Sequence, residues 1–248
     1  MSTFPARLIY HVPADGAWNM ALDEALVTTH QEGDPPTLRF YLWNEPTLSL
    51  GYFQPVASRH QHGGSRVCRL VRRATGGGAI LHDRELTYSF VCSVSDRWDR
   101  GATQLYQEFH QTLADCLADW GIRAEINKDG SLAQDPEPFL CFQRRAVGDL
   151  LVGDSKIAGS AQRRHRRSLL QHGSVLLSTS PYAEEIPGLA EITGQTILID
   201  ELVAMWTERL AVRLNVTFTP FSVEDPLIER TTELVLAKFG KECWNNRR

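Results

Sequence analysis

The chain has 248 residues, 42% of them hydrophobic and 23% charged, with a formal net charge of −4 at pH 7. That composition belongs to a folded protein able to bury a sizeable core. The acidic balance excludes a general nucleic-acid binder, and no apolar run approaches the ~20 residues of a membrane span.

The opening residues, MSTFPARLIYHVPADG, carry no secretory pattern. Cys68, Cys92, Cys116, Cys141 and Cys243 show no CxxC spacing, which fits a reducing cytoplasm. Asp15 is placed to cap a first helix, where Trp18, Ala21, Leu22, Ala25 and Leu26 recur at helical spacing. After the breaker GDPP, two strand-like runs, TLRFYLW and TLSLGYF, flank Asn44-Glu45-Pro46. RVCRLVRRA reads as a strand entering three glycines, and 79–81 with 86–91 read as hairpin arms around HDRE. Leu105, Tyr106, Phe109, Leu113, Leu117 and Trp120 mark a second helix, stopped at Gly121.

GDLLV, KIAGSAQ and SLLQHGSVLLS then predict two or three antiparallel strands about a Gly153-Asp154-Ser155 turn. From about residue 181 the chain turns helical, in DELVAMWTERLAVRL and in EDPLIERTTELVLAKF. The expected fold is a single α+β domain over 1–248: a largely antiparallel mixed sheet flanked by helices, with the helical C-terminal segment part of it.

The stretch RRATGGGAILHD (72–83) is the least ordinary in the chain. Three glycines alone suit a flexible turn. Arginines before them and an apolar exit after them are not linker composition, and bare backbone lets a ligand approach closely. The run has no GK[ST] ending and leads into a strand, so it meets neither the P-loop nor the dinucleotide fingerprint. A clasp remains, with charge and backbone at one end of a ligand and an apolar slot at the other.

RRATGGGAILHD resembles the RR-x-[ST]-GGG-A-hydrophobic-x-HD signature of the lipoate–protein ligase and octanoyltransferase family. NMALDEAL, LRFYLWNEPTLSLGYFQ, KIAGSAQRR with LLQHGSVLL, and LAKFGKECWN resemble its other motifs in the same order. The resemblance implies the fold shared with biotin protein ligases and class II synthetase cores. It also implies a tunnel for an octanoyl or lipoyl chain, shaped at its mouth by Gly76, Gly77 and Gly78. Lys156 would stand near the acyl carbonyl, and Gly159 and Ser160 of GSAQ beside the substrate. Arg73 and His82 would contact the carbonyl, a phosphopantetheine arm or neighbouring backbone, with His82 structural rather than a general base.

Ligases of this family activate a free acid with ATP and Mg; its transferases need no cofactor and pass octanoyl through a cysteine thioester. Cys68, Cys92 and Cys116 sit in apolar patterns and read as small buried hydrophobes. Cys141 follows the Pro-rich QDPEPF and precedes Arg144 and Arg145, and cations stabilise a thiolate. Its Cys-Phe, about fifteen residues before Lys156, resembles the catalytic pair of the single-domain octanoyltransferases. Those enzymes continue with a Pro-Ser-x-Tyr-[DE]-like stretch, of which QRRAVGD keeps only Asp149. The chain ends after the tryptophan box without the accessory domain usual in ligases, which favours the transferase.

The expected roles are Cys141 as nucleophile and Lys156, with backbone N–H groups, as stabiliser of the developing oxyanion. The expected partners are acyl carrier protein and a lipoyl-domain protein, such as glycine cleavage H protein or a 2-oxoacid dehydrogenase E2. An ATP-dependent ligase subunit is the alternative; transfer between two lipoyl domains and a non-catalytic acyl-binding scaffold are lesser ones. His60 and His62 lack a third ligand and read as loop residues, so no metal is expected, and His172 is left without a role. RRHRR (163–167) is either a solvated turn or a docking patch for an acidic carrier protein.

Overall fold

The computed structural model describes residues 3–10, 12–94, 102–129 and 137–247. Among them the first half contains β1 (Phe4–Tyr10), α1 (Gly16–Thr29), β2 (Thr37–Tyr41), β3 (Thr47–Leu50), β4 (Arg69–Arg72), β5 (Ile80–His82), β6 (Glu85–Ser93) and α2 (Ala102–Asp119). The second half contains β7 (Ala124–Ile126), β8 (Leu150–Val152), β9 (Ser155–His165), β10 (Ser168–Leu176), α3 (Leu189–Thr193), α4 (Ile199–Leu214), β11 (Val216–Pro220), α5 (Asp225–Leu234) and α6 (Glu242–Asn245).

Eight strands form one mixed sheet in the order β11-β1-β2-β6-β10-β9-β8-β7. β1 runs parallel to both of its neighbours, and the remaining pairs are antiparallel. Period-two alternation decides which side of the sheet each residue serves. Along β6, Leu86, Tyr88, Phe90 and Cys92 join the core under α2 and α4, where Tyr88 stacks on Phe109 at 4.9 Å and Phe40 meets Trp206 at 5.5 Å. Val91 on the other face packs with Ile9, Leu22, Leu26, Val27 and Leu170 beneath α1. The Asp15 carboxylate accepts the Trp18 N–H at 2.8 Å, giving α1 its expected cap. No helix among the described residues is long and apolar enough to cross a membrane.

A second sheet, β4-β3-β5, carries the glycine-rich turn between β4 and β5. Here the expected β5–β6 hairpin is corrected. β5 pairs with β3, whereas β6 pairs with β2 and β10 in the large sheet. All nine residues of β6 are buried and need neighbours on both sides, which a single hairpin partner would not supply. Arg84 adopts φ 52°, and its carbonyl accepts the Leu177 and Ser178 N–H groups at 3.2 Å, so the chain leaves one sheet and enters the other within two residues. A second correction concerns the helical C-terminal segment. It contains β11, which extends the large sheet beside β1.

Candidate active site

Both arginines before the glycines are buried, and both serve the backbone. Arg73 donates to Ser49 O at 3.1 Å, Gly76 O at 2.7 Å and Gly78 O at 2.6 Å, holding the turn from inside. Burial lowers its guanidinium to about 10, against an opposing pull from nearby Cys141. Arg72 donates to Gly51 O, Gln54 O, Asn245 O and Arg247 O at 2.7–3.1 Å. A Cβ on Gly51 would lie 2.0 Å from Gly77 O, so this close crossing of two loops requires a glycine.

His82 is buried too. Its Nδ1 meets Glu85 Oε1 at 2.9 Å, its Nε2 meets Ser49 Oγ at 2.8 Å, and its ring stacks on Trp43 at 3.9 Å. Burial pushes the imidazole below its ordinary range despite Glu85. With both nitrogens engaged, His82 forms part of the wall.

Cys141 opens a short 3₁₀ turn, Cys141–Gln143. The residues before it, 130–136, lie outside the described ones, and with them part of the predicted irregular segment. The Ala79 N–H donates to Phe139 O at 3.2 Å, and the Cys141 N–H donates to Ala79 O at 2.7 Å. This pairing docks the cysteine loop on the strand that leaves the glycines.

The half-buried Cys141 Sγ lies 3.7 Å from Lys156 Nζ. Lys156 in turn meets Asp149 Oδ2 at 2.8 Å, with both side chains almost wholly buried. The neighbouring arginines, expected to favour the thiolate, point elsewhere. Arg144 donates to Glu137 Oε1 and Pro138 O at 2.5 Å, and Arg145 donates to Asp154 O. Proximity in sequence says nothing of direction in a loop; the cation beside the sulfur comes from β9.

These groups surround a narrow cavity of about 80 Å³. Its lining includes the polar Cys141, Lys156, Arg73, His82, Ser160 and His172 and the largely apolar Met20, Tyr41, Ile80, Phe142 and Ala161. Gly76, Gly77 and Gly159 also line it, whereas Gly78 faces away, under the Arg144 guanidinium. Ser160 Oγ is engaged by Tyr88 OH at 2.6 Å and His110 Nε2 at 2.8 Å. His172 Nε2 meets Thr75 Oγ1 at 2.7 Å, and its Nδ1 lies 3.5 Å from Asp23 Oδ2.

Asp149 was singled out in the sequence without a role, and His110 was not singled out at all. Tyr106, which marks the second helix in the sequence, reaches the same site by donating to Asp149 Oδ1 at 3.1 Å. His60 lies in a surface turn, and His62 is tied to Ser65 and Glu185 at 2.8 Å each. Among the described residues no three His, Cys, Asp or Glu side chains gather as a metal site. RRHRR spans the last three residues of β9 and the turn into β10, with Arg163 paired to Glu24 at 3.0 Å and Arg167 to Glu32 at 2.5 Å.

Comparison with known proteins matches residues 15–202 to the lipoyl protein ligase A/B catalytic domain. Octanoyltransferase LipM of Geobacillus kaustophilus is 33% identical over 94% of this chain and 94% of its own. The LipM of Oceanobacillus iheyensis is 43% identical over 68% of this chain and 62% of its own. A bi-partite lipoate protein ligase from Thermoplasma acidophilum superposes with a TM-score of 0.78, covering 98% of this chain and 96% of its own. At 22% identity that likeness speaks for the fold alone.

Proposed function

The chain belongs to the lipoyl protein ligase A/B catalytic-domain family, and from that premise we propose that it is an octanoyltransferase working through a thioester on Cys141. The acyl donor is octanoyl-acyl carrier protein, and the acceptor is a lysine of a lipoyl-domain protein. The observation that carries this reading is the Cys141 sulfur, 3.7 Å from the buried Lys156 ammonium at the edge of an apolar cavity.

In the first half-reaction the Cys141 thiolate attacks the octanoyl thioester carbonyl. A carbon–sulfur bond forms to Cys141, the bond to the carrier sulfur breaks, and the carrier leaves as a thiolate that takes up the proton Cys141 released on ionising. One thioester replaces another, so the step is close to balanced in energy. Lys156 supplies positive charge to the thiolate and then to the developing oxyanion. The Cys141 N–H, committed to Ala79 O, is not a donor for that role. In the second half-reaction the acceptor amine attacks the same carbon and loses a proton. The amide forms and the Cys141 thiolate is released. The octanoyl chain lies against Met20, Ile80 and Phe142, each buried CH₂ contributing roughly 0.8 kcal/mol.

The test is incubation with octanoyl-acyl carrier protein in the absence of ATP, followed by intact mass. A single octanoyl adduct, lost in Cys141→Ser, is expected. Absence of the adduct together with ATP-dependent modification of a lipoyl domain would overturn the reading in favour of a ligase.

A further inference from the structure

Three separate pieces of chain meet on one phenol. Tyr106, on α2, donates its hydroxyl proton to Asp149 Oδ1 and accepts the Ser160 N–H, each at 3.1 Å. The other Asp149 oxygen faces Lys156 Nζ at 2.8 Å and accepts the Ala146 N–H at 2.7 Å. One hydroxyl therefore ties the loop that carries Asp149 to the strand that carries Lys156. Space for the ring comes from Gly148. Its φ is +95°, and a Cβ there would sit 2.8 Å from Tyr106 Cε1 and 3.1 Å from Cδ1. The loop leans on α2 a second time, where His110 Nδ1 meets Gly148 O at 2.6 Å.

The Ala146 N–H and the Lys156 ammonium both meet one Asp149 oxygen, which leaves the carboxylate able to turn about that point. Anchoring the second oxygen removes that freedom and fixes where the ammonium sits. We propose that Tyr106 is a positioning residue: its hydroxyl fixes the Asp149 carboxylate, and through it the Lys156 ammonium opposite Cys141, in a space that Gly148 leaves open. The catalytic meaning of this brace rests on the acyl-transfer reading of Cys141; its effect on the thiol does not.

The test uses the full chain and the rate at which iodoacetamide alkylates Cys141 at fixed pH, resolved from the other cysteines by peptide mass. Wild type, Tyr106→Phe, Asp149→Asn and the double variant form a cycle. Tyr106→Phe is expected to slow alkylation about fivefold, and to change nothing once Asp149 is Asn, because contacting residues that act through each other are not additive. A wild-type rate in Tyr106→Phe, or the same loss in both backgrounds, would overturn the proposal. Gly148→Ala, which displaces the ring and keeps its hydroxyl, is read in the same cycle and replaces Tyr106→Phe if that chain does not fold. Since no octanoyl donor is used, a chain that gives the expected cycle but no octanoyl adduct keeps the brace and loses the acyl-transfer reading.

Discussion

Asp23 and Arg39 meet at 2.8 Å behind the cavity wall, with both side chains shut off from solvent. Tyr41 OH, Ser89 Oγ and Asn19 complete the group, and the guanidinium lies 3.7 Å from the Tyr41 ring centroid. Removing one member strands the other charge. Asp23→Ala is therefore expected to lower unfolding stability in urea by about 3–5 kcal/mol. Because Tyr41 and His172, which line the cavity, both face Asp23, the variant should also lose octanoyl adduct formation under conditions where it is still folded.

Acid should weaken the fold in two stages. Burial lowers His110 from 6.5 to about 4, against the Gly148 carbonyl, and lowers His82 as well. A histidine held neutral in the folded chain gains its proton first in the unfolded one. Stability is therefore expected to fall as pH drops from 6.5 to about 4, and His110→Gln should make that slope shallower. Asp23 acts lower down. Burial raises its carboxyl, but His172, Arg39 and Ser89 outweigh that and hold it below 3.8. Its contribution is intact above that value and disappears as pH falls through the lowered one. Urea midpoints followed from neutral pH down through the acid limb below 3.8 separate the stages.

Two substitutions separate the structural part of Lys156 from the chemical part proposed for it. Lys156→Met leaves Asp149 as an uncompensated buried charge and should cost about 3–5 kcal/mol. Adding Asp149→Asn removes that charge, so most of the stability should return. Cys141 acylation is expected to stay down by about 10²–10³-fold in both variants, followed by intact mass against time. Recovery of acylation along with stability would reduce Lys156 to scaffolding.

The β9–β10 turn gives a salt-dependent prediction. Arg163 and Arg167 pair with Glu24 and Glu32, and Arg164 and Arg166 are exposed on the same segment. Arg164→Glu with Arg166→Glu should slow octanoyl transfer from the acidic carrier about tenfold at low ionic strength, and the difference should fade as salt shortens the screening length to about 8 Å. Transfer from octanoyl-pantetheine, a small uncharged donor, should be unchanged.

Local chemistry made much of this fold readable. The Asp15 cap, the apolar stripe of α2 and the β9–β10 pair follow from spacing that repeats within a dozen residues. β5 was misassigned because three residues carry no sign of which strand they will pair with. β11 was missed because a short strand after a long helix has no pattern of its own. At the site, the motifs brought Cys141 and Lys156 into view, but the direction of each side chain was hidden. Arg144 and Arg145 stood beside the cysteine in sequence and bind Glu137 and Asp154 instead. Tyr106 looked like one more rung of a buried helix face, and only the third dimension brings its hydroxyl to Asp149.

The handover at Asp83 and Arg84 has a mechanical consequence. Ile80, His82 and Thr87 all line the cavity, and Asp83 and Arg84 are the stretch of chain that connects the sheets carrying them here. Ser180 Oγ donates to Asp83 Oδ2 at 2.8 Å and pins the joint from outside. The slot's width is thus set like the gap of a caliper, by a hinge with no slack in it. A residue inserted there would slide one jaw past the other, so variation in the length of this chain belongs in its other loops.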